Sequence, residues 1–412
     1  MLPQLVNLPR ARALMERAGA DALVAQLPIN VYYLSGYWGF LMSTERFDAA
    51  YFAVLPRRAE PPAALVMPSL ELRRIASEGG PWMPSLHAFT SPLDDDESVE
   101  AGQPYAGWPV RTGAGLTGRE QAWVAIVAEH RDHVAASAVH ALARAARDAG
   151  LEGAHVITDD ARVAGWLEAQ GVRCGSIRYD ASFFNEIRKI KTKPEIDLMR
   201  MAALKNERAM LAAMDALAEG ATWPQIETVY MTEMARQGAR GVYCICGVGG
   251  LPAGRVRRGE PVLFDALGQY ARYHGDFGRS AVLGEPSAEH LRRYRAVRAG
   301  WEAIRPMIRP GTRYSDIERV AIETVRGNGF PEFRYVTPHG LGLEHTDDPK
   351  PLGVQLGTKP DQVLEAGMVI NVDMPYTEIG WGSLHIEDTA LVTDDGHELL
   401  TTADLELRCV PG

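Results

Sequence analysis

The sequence predicts an α/β domain followed by an α+β domain, and three observations indicate this fold class. Helical and strand-like segments alternate through the first half of the 412 residues. In the second half, long helical segments are separated from pairs of strand-like segments that flank turns. A basic, loop-like stretch lies between these two patterns, at residues 178–190. A chain of this length is too long to fold around one small hydrophobic core, so we predict two domains, residues 1–180 and 181–412.

In the first domain, 3.6-residue periodicity predicts helices and short apolar runs predict strands. Helices are expected in ARALMERAGA, in SLELRRIASEG and in VAGWLEAQG. β-rich segments are expected in DALVAQLP, NVYYLSGY, AAYFAVLP, AALVMP and HVITDD. The segment beginning AWVAIVAEH is expected to start as a strand and to continue as an Ala-rich helix. Residues 92–107 are expected to form an acidic loop. This alternation predicts a mixed or parallel sheet.

The second domain is expected to open with a long amphipathic helix after Pro194. Further helices are predicted in AGWEAIRPMI and in YSDIERVAIETVRGNG, which ends at Gly327 or Gly329. Strands are predicted in PVLFDALGQ, YHGDFGRSAVL, GMVINVDMP and SLHIEDTALV. Helices that are segregated from antiparallel hairpins are typical of an α+β domain.

Charge and composition limit the partners that we expect. The net charge of −10 argues against a surface for nucleic acid or anionic membranes. No apolar run approaches the roughly 18 residues of a membrane span or the length of a signal peptide, so we expect a cytoplasmic protein with no membrane partner. Cys244 and Cys246 lie in the apolar segment GVYCICGVGG, where we expect buried core thiols rather than metal ligands.

Five residues of the second domain form the candidate metal site: Asp265, Asp276, His339, Asp373 and Glu387. Each lies in a strand-like or Gly-rich segment. One imidazole among four carboxylates is an oxygen-rich donor set. It suits two divalent ions such as Mn²⁺, Co²⁺, Fe²⁺ or Zn²⁺ better than it suits a structural Cys/His zinc site.

Two hairpins are expected to bring the carboxylates together. Asp265 and Asp276 flank a turn near Tyr270, and Asp373 and Glu387 are symmetric about Gly380. Directly opposed side chains have Cβ atoms about 4.5–5.5 Å apart. Two bare carboxylates at that distance repel each other, and a divalent cation between them removes the repulsion. The alternative is that each acid is a solvated strand residue or a turn cap.

His339 lies in PHGLGLEH, where we expect the glycines to allow close backbone approach and to leave the imidazole free to reach an ion. Two metal ions about 3.5–4 Å apart can share a bridging water that loses its proton near neutral pH. We expect that nucleophile to attack a polarised carbonyl.

The motifs resemble those of the pita-bread metallopeptidases, which include aminopeptidase P, prolidase, methionine aminopeptidase and the metal-free creatinase. NVYYLSGYWG resembles the creatinase-type N-terminal domain, and IRKIKTKPEIDLMRMAA resembles the entry to the catalytic domain. The ligand segments follow in the family's order: LFDALGQYARYHGDFGRS, HGLGLEH, GMVINVDMP and HIEDTALVT. The resemblance implies a creatinase-like α/β domain followed by a pita-bread α+β catalytic domain.

The resemblance also implies roles for the five residues. Asp265 and Asp276 correspond to the bidentate and bridging ligands, His339 to a ligand of one ion, and Glu387 to a ligand of both ions. Asp373 stands where family members usually have Glu, the residue often assigned as general base. A homodimer is expected as well, in which the N-terminal domain helps to wall the partner's active site.

Three departures from the family concern the substrate side of the site. GLPAGRVRRGEP lacks the usual Pro-His histidine, His385 replaces the usual Arg, and His345 lies one residue early. We therefore predict Asp373, His345 and His385 as catalytic residues, the two histidines in substrate orientation or proton transfer. The alternative for each His is an exposed residue or one that supports a ligand. Arg279 is expected to neutralise the acid cluster or to be an ordinary surface residue.

Three functions fit these observations. The leading prediction is a metal-dependent hydrolase of Xaa-Pro peptide bonds, acting on a short peptide. The second is a creatinase- or ectoine-hydrolase-like C–N hydrolase, or a lyase, acting on a small non-peptide metabolite. The third is a binding module without catalytic activity, which the retained ligand set disfavours because such modules typically lose ligands.

Overall fold

The computed structural model describes residues 4–44, 49–90, 109–248, 254–350 and 360–411. The acidic loop predicted at residues 92–107 lies outside these ranges. The chain divides into two compact units, Met1–Ile187 and Arg188–Gly412. The boundary predicted from the sequence, between residues 180 and 181, falls at the start of the helix Ala181–Arg188.

The first unit contains a six-stranded mixed sheet with helices around it. In order along the sheet the strands are β4, β3, β2, β1, β5 and β6. The β1–β2 and β2–β3 pairs are antiparallel and the other pairs are parallel, so the sheet is mixed, which is one of the two predicted arrangements. The elements of this unit are α1 (Leu8–Arg17), β1 (Ala22–Ala25), α2 (Pro28–Ser35), β2 (Phe52–Pro56), β3 (Ala64–Pro68), α3 (Glu71–Glu78), β4 (Ser85–Phe89), α4 (Gly118–His130), α5 (Ala138–Asp148), β5 (His155–Thr158), α6 (Arg162–Ala169), β6 (Ser176–Tyr179) and α7 (Ala181–Arg188).

Two strand predictions in this unit are wrong. NVYYLSGY forms most of helix α2, which begins at Pro28 and ends at Ser35 and is followed by Gly36, whose φ is 72°. Pro is favoured in the first turn of a helix and a left-handed Gly directly after its end, and these signals outweigh the β-rich composition. AWVAIVAEH belongs to helix α4, because Thr117 and Glu120 form a capping box that starts the helix before the apolar run.

The second unit is built on an eight-stranded sheet. Its main path runs β10, β11, β12, β9, β8 and β7, while β13 pairs with β12 and β14 pairs with β9. The predicted α+β arrangement of helices and antiparallel hairpins is confirmed. The elements are α8 (Lys193–Asp215), α9 (Trp223–Arg236), β7 (Arg240–Val248), β8 (Pro261–Tyr270), β9 (Tyr273–Leu283), α10 (Ala288–Ile304), α11 (Tyr314–Gly327), β10 (Thr337–Gly340), β11 (Val369–Glu378), β12 (Gly382–Val392), β13 (His397–Leu399) and β14 (Arg408–Val410).

Two apolar clusters cover one face of this sheet. Helices α10 and α11 pack on Val372 and Met374 of β11. Helices α8 and α9 pack on Phe264 and Ala266 of β8, and the buried Cys244 and Cys246 belong to this second cluster. Side chains alternate between the faces of a strand. The residues between these apolar pairs, Asp373 and Asp265, therefore point away from the helices.

Candidate metal centre

Four strands place three carboxylates in one row across the sheet. Asp265 pairs with Gly278, Gly278 with Glu387, and Glu387 with Asp373. These four residues are called the first row. Since paired residues of adjacent strands project to the same face, the three carboxylates lie on one side of the sheet, with a glycine between Asp265 and Glu387.

A second row lies on the same face, two residues along β9, β12 and β11, and continues onto β10. It contains Asp276, Thr389, Asn371 and His339. His339 pairs with Asn371, and Asn371 pairs with Thr389. The hydroxyl of Thr389 lies 2.8 Å from the carbonyl oxygen of Asp276, which joins the two hairpins.

The register of the first hairpin corrects one prediction. Asp276 lies opposite Leu267, and Asp265 lies opposite Gly278, so the two acids are diagonal neighbours rather than directly opposed. The reason is the position of the turn. Ala271 and Arg272 both have positive φ, which places the turn one residue later than the midpoint between the acids. The opposition of Asp373 and Glu387 in the second hairpin is confirmed.

The donor atoms of the two rows converge. The Nε2 atom of His339 lies 3.4 Å from Oδ2 of Asp373 and 3.7 Å from Oδ2 of Asp276. Three overlapping groups each offer three ligand atoms within 4.8 Å of one another. They are Asp276, His339 and His345; Asp265, His385 and Glu387; and His339, Asp373 and Glu387.

The carboxylates show the electrostatic pattern of an acidic cation site. Burial, followed by repulsion from neighbouring carboxylates, raises the pKa of Asp265 and of Glu387 well above the usual values. Burial opposes ionisation of Asp373 too, but the adjacent His339 outweighs it and lowers the pKa of Asp373. The pairs of like charges cannot all be ionised without a compensating cation.

The residues present fit divalent ions. Within the described part of the chain, buried Oδ1 atoms of Asp265 and Asp276 and Oε2 of Glu387 have no hydrogen-bond partner. Buried carboxylate oxygens are normally satisfied, and a cation is one explanation for such exceptions. The donor set of carboxylates and imidazoles is the one that Mn²⁺, Co²⁺, Fe²⁺ and Zn²⁺ accept.

The two additional predicted histidines occupy different environments. The imidazole of His345 is 43% exposed, and its Nε2 atom lies 3.1 Å from Oδ2 of Asp276. The imidazole of His385 is only 2% exposed, with Nε2 at 3.6 Å from Oε2 of Glu387 and 3.9 Å from Oδ1 of Asp373. Burial lowers the pKa of His385, although Asp373 and Asp276 act in the opposite direction, so this imidazole is neutral at pH 7.

The glycines near His339 have a role that the sequence analysis did not identify. A Cβ atom at Gly342 would lie 2.1 Å from Oδ2 of Asp347, and one at Gly340 would lie 2.7 Å from Oδ1 of Asp348. The space beside the backbone is therefore occupied by two buried aspartates. The close approach expected at these glycines is therefore made by the carboxylates of Asp347 and Asp348.

These aspartates fix the segment that carries His345. Asp347 accepts hydrogen bonds from the buried Arg188, at 2.7 and 3.0 Å, and from Lys191, at 3.1 Å. Asp348 accepts from the backbone N–H of Gly340, at 2.7 Å, and from the hydroxyl of Tyr314. Both ends of the turn that leads from His339 to His345 are thus held by charge-assisted hydrogen bonds.

Arg279 is buried, so the surface alternative is wrong, and its ion-pair partner is Asp388 rather than one of the predicted ligand carboxylates. Its guanidinium pairs with Asp388 at 2.7 Å and donates to the carbonyl oxygens of Glu387 and Gly278. Asp388 follows Glu387 on β12 and points to the opposite face, because neighbouring strand residues alternate. Arg279 therefore fixes the backbone of the first row from the face of the sheet opposite the donors.

Asn371 and Gly278 are site residues that the sequence analysis missed. The side-chain amide of Asn371 donates to Oε1 of Glu387. Asn371 is a fully buried polar residue inside the apolar strand sequence VINVD, and that anomaly was a usable signal. Gly278 gave a signal as well, since a glycine within a strand often marks a close approach of another group.

A cavity of about 720 Å³ lies beside the hairpin formed by β11 and β12. Pro375 and Thr377, which line it, follow Asp373 at two-residue intervals on β11 and project to the same face. Arg334 and the exposed Tyr335 and Ile379 line its outer part. Phe330 and Tyr376, which also line it, belong to the apolar cluster on the helix-covered face, and none of the five predicted ligands is among its lining residues.

Comparison with known proteins identifies two family regions. Residues 197–394 match the model described as metallopeptidase family M24, and residues 8–164 match the creatinase/prolidase N-terminal domain. The Xaa-Pro dipeptidase of Pyrococcus furiosus is 28% identical over 233 residues, which cover 54% of this chain and 66% of that protein. The Xaa-Pro dipeptidase of Pyrococcus horikoshii is 27% identical over 233 residues, covering 54% of this chain and 65% of that protein. The chain spans just under two thirds of the length of these curated relatives.

Solved structures agree on the fold. The prolidase from Pyrococcus horikoshii matches with a TM-score of 0.68 and 20% identity, over 97% of this chain and 99% of that chain. The Xaa-Pro dipeptidase from Bacillus anthracis matches with a TM-score of 0.69 and 19% identity, over 98% and 99% of the two chains. At these identities the similarity establishes the fold alone.

Proposed function

Because this chain belongs to the M24 metallopeptidases that carry a creatinase/prolidase-type N-terminal domain, we propose that it hydrolyses Xaa-Pro peptide bonds with divalent metal ions. The membership and the pita-bread fold agree with the prediction from the sequence. Substrate, metal identity and number of ions belong to the proposal.

The observation that carries the proposal is the convergence of two rows of donors on one face of the sheet. Asp265, Glu387 and Asp373 lie in one row, and Asp276 and His339 lie in the next. Bound divalent ions supply activation of water near neutral pH and polarisation of the scissile carbonyl. The five side chains would hold those ions.

One further site residue, His345, acts on the substrate in this proposal. His345 is the exposed imidazole of the cluster, and its contact with Asp276 keeps it next to the donors. It is placed to transfer a proton to the departing amine or to orient the peptide.

A second candidate is a C–N hydrolase that acts on a small non-peptide metabolite. Two observations favour it: Asp373 is one methylene shorter than the glutamate of the family pattern, and His385 replaces the usual Arg. Asp373 is a partly exposed carboxylate of the first row, and the buried His385 lies 3.9 Å from it. A binding module without activity is disfavoured by the retained convergence of the five donors.

The experiment combines metal analysis with a substrate panel. Purified protein is stripped with a chelator, reloaded with Mn²⁺ or Co²⁺, and assayed on Xaa-Pro dipeptides, longer Xaa-Pro peptides and small amides. Metal-dependent cleavage of the Xaa-Pro bond supports the proposal. Turnover of amides alone, with or without bound metal, supports the second candidate, and protein that binds no metal contradicts the first.

The Asp373→Glu variant refines the result. Increased Xaa-Pro cleavage in this variant would show that the short acid limits a peptidase. Unchanged cleavage would indicate that the chain has a different substrate.

A further inference from the structure

The space above Gly278 is filled by an imidazole. In the first row, Gly278 lies between Asp265 and Glu387, and a Cβ atom there would lie 2.5 Å from Nδ1 of His385 and 2.8 Å from Cβ of Glu387. Real Cβ atoms essentially never approach so closely. The imidazole of His385 therefore lies over Gly278, in the middle of the row.

The backbone of His385 is fixed in this position. Its N–H donates to the hydroxyl oxygen of Ser280 at 2.6 Å, and the Ser280 hydroxyl donates to its carbonyl oxygen at 3.0 Å. His385 lies two residues before Glu387 on β12, so both side chains project to the donor face. The imidazole is therefore oriented by the strand rather than by contact with substrate.

The Nε2 atom of His385 has the surroundings of a ligand atom. It is buried and, within the described ranges, has no hydrogen-bond partner. Its nearest carboxylate oxygens, on Glu387 and Asp373, lie 3.6 and 3.9 Å away, which is too far for a hydrogen bond. Metal–nitrogen and metal–oxygen bonds of about 2.0–2.2 Å allow two ligands of one ion to lie up to roughly 4.2 Å apart.

We propose that His385 is a metal ligand that shares one ion with Asp265 and Glu387. The three side chains form one of the groups whose donor atoms lie within 4.8 Å of one another. The inference rests on the proposed metal-dependent function and adds a nitrogen donor to the five ligands predicted from the sequence. It also separates the two extra histidines, since His385 binds metal while the exposed His345 faces substrate.

The test measures metal binding and not hydrolysis. Chelator-stripped wild type, His385→Ala, His385→Gln and the control His397→Ala are titrated with Co²⁺ by calorimetry. They are then loaded with Cu²⁺ for pulsed electron paramagnetic resonance, which detects coordinated imidazole nitrogen. His397 is partly buried in the same unit and hydrogen-bonds to the carbonyl oxygen of Ile308, so its removal controls for loss of a structural histidine.

We expect both His385 variants to bind Co²⁺ about 10–100-fold more weakly, as for other changes in metal-site residues, and to lose one imidazole coupling. The His397 variant should keep the wild-type spectrum and affinity. Folded His385 variants with unchanged coupling and unchanged affinity would overturn the proposal.

A second measurement decides the case if circular dichroism shows that the His385 variants do not fold. The His339→Ala/His345→Ala double variant is loaded with Cu²⁺, and a remaining imidazole coupling supports ligation by His385. Absence of that coupling contradicts it. The two proposals can fail separately. If the wild-type protein shows the coupling that is lost in the His385 variants but cleaves no Xaa-Pro peptide, the proposed substrate is refuted and the assignment of His385 as a ligand stands.

Discussion

The exposed imidazole of His345 meets the buried carboxylate of Asp276 at 3.1 Å, so one group of the candidate site is open to solvent while its partner is enclosed. The exposed group is the one that a substrate can reach. Of the other four donors, His339 and Glu387 are buried, and Asp265 and Asp373 are only partly exposed. This difference separates proton transfer from metal binding within one cluster.

We predict that His345→Gln lowers kcat for the preferred substrate about 100-fold or more and leaves the metal content unchanged. The reason is that Gln retains a polar side chain but cannot act as an acid–base group near neutral pH. Steady-state kinetics and elemental analysis check the result. His133→Ala, at an exposed position of the first unit, is the control and should match wild type. Equal loss of metal and activity in His345→Gln would contradict the separation.

We predict that Gly278→Ala lowers the free energy of unfolding by about 1–3 kcal/mol, because the added methyl group meets His385 and Glu387. Gly327→Ala is the matched control. Gly327 ends helix α11, and a Cβ atom there would meet nothing within 4 Å. Alanine should leave stability unchanged or raise it by up to about 1 kcal/mol. Urea denaturation measures both, and equal effects would show that the space over Gly278 is not constrained.

The buried Asp347 predicts a loss of stability in acid. Burial opposes its ionisation, but Arg188 and Lys191 outweigh burial and hold the pKa of Asp347 below its usual value. A depressed pKa contributes stability above the unfolded-state pKa, and this stability is lost as the pH falls through the folded-state pKa. Asp347→Asn should therefore cost about 3–5 kcal/mol at pH 7, with a smaller cost below about pH 4.

Urea denaturation at several pH values measures this difference. Asp316→Asn is the control, because Asp316 pairs with Arg319 at the surface and such pairs contribute at most about 1 kcal/mol. A difference between wild type and Asp347→Asn that does not change with pH would argue against an ionised Asp347 in the folded protein.

The buried Asp159 predicts the opposite pH dependence in the first unit. Burial raises its pKa to about 6, although it accepts hydrogen bonds from the backbone N–H groups of Gln26 and Leu27. A carboxyl group with a raised pKa binds its proton more tightly in the folded state. Stability should therefore fall as the pH rises from about 4 to about 6, by about 3 kcal/mol for a shift of this size.

Asp159→Asn should remove that slope from the unfolding of the full chain. Asp160→Asn is an informative control, because hydrogen bonds from Arg162 outweigh burial and lower the pKa of Asp160. Its stability relative to wild type should be lowest at neutral pH and should recover in acid. If both variants show the same pH dependence, the burial argument for Asp159 fails.

The strand register of the second hairpin could be predicted from the sequence because a glycine marks the centre of its turn. Gly380, with a φ of 93°, lies at the centre of symmetry of Asp373 and Glu387, and the two acids pair directly. The first hairpin turns at Ala271 and Arg272, neither of which is a residue that marks such turns. The offset of Asp265 and Asp276 could therefore not be read from residue types, although their common face could.

Tertiary packing explains the other differences. Gly340 and Gly342 give the same sequence signal whether a metal, a ligand or a buried carboxylate occupies the adjacent space. Asp347 and Asp348 occupy it only because Arg188, Lys191 and Tyr314 lie there in the fold. Arg279 is similar, since its partner Asp388 lies more than 100 residues away along the chain.

The two-row arrangement affects how this protein can change over evolutionary time. Asp265, Asp276, His339, Asp373 and Glu387 all lie on paired strands, so backbone hydrogen bonds rather than loops set their spacing. Segments between the strands can lengthen, shorten or change composition while the donors stay in place. New substrate preferences can then arise by loop variation, whereas a shift of one residue in any of these strands would turn its donor to the helix-covered face.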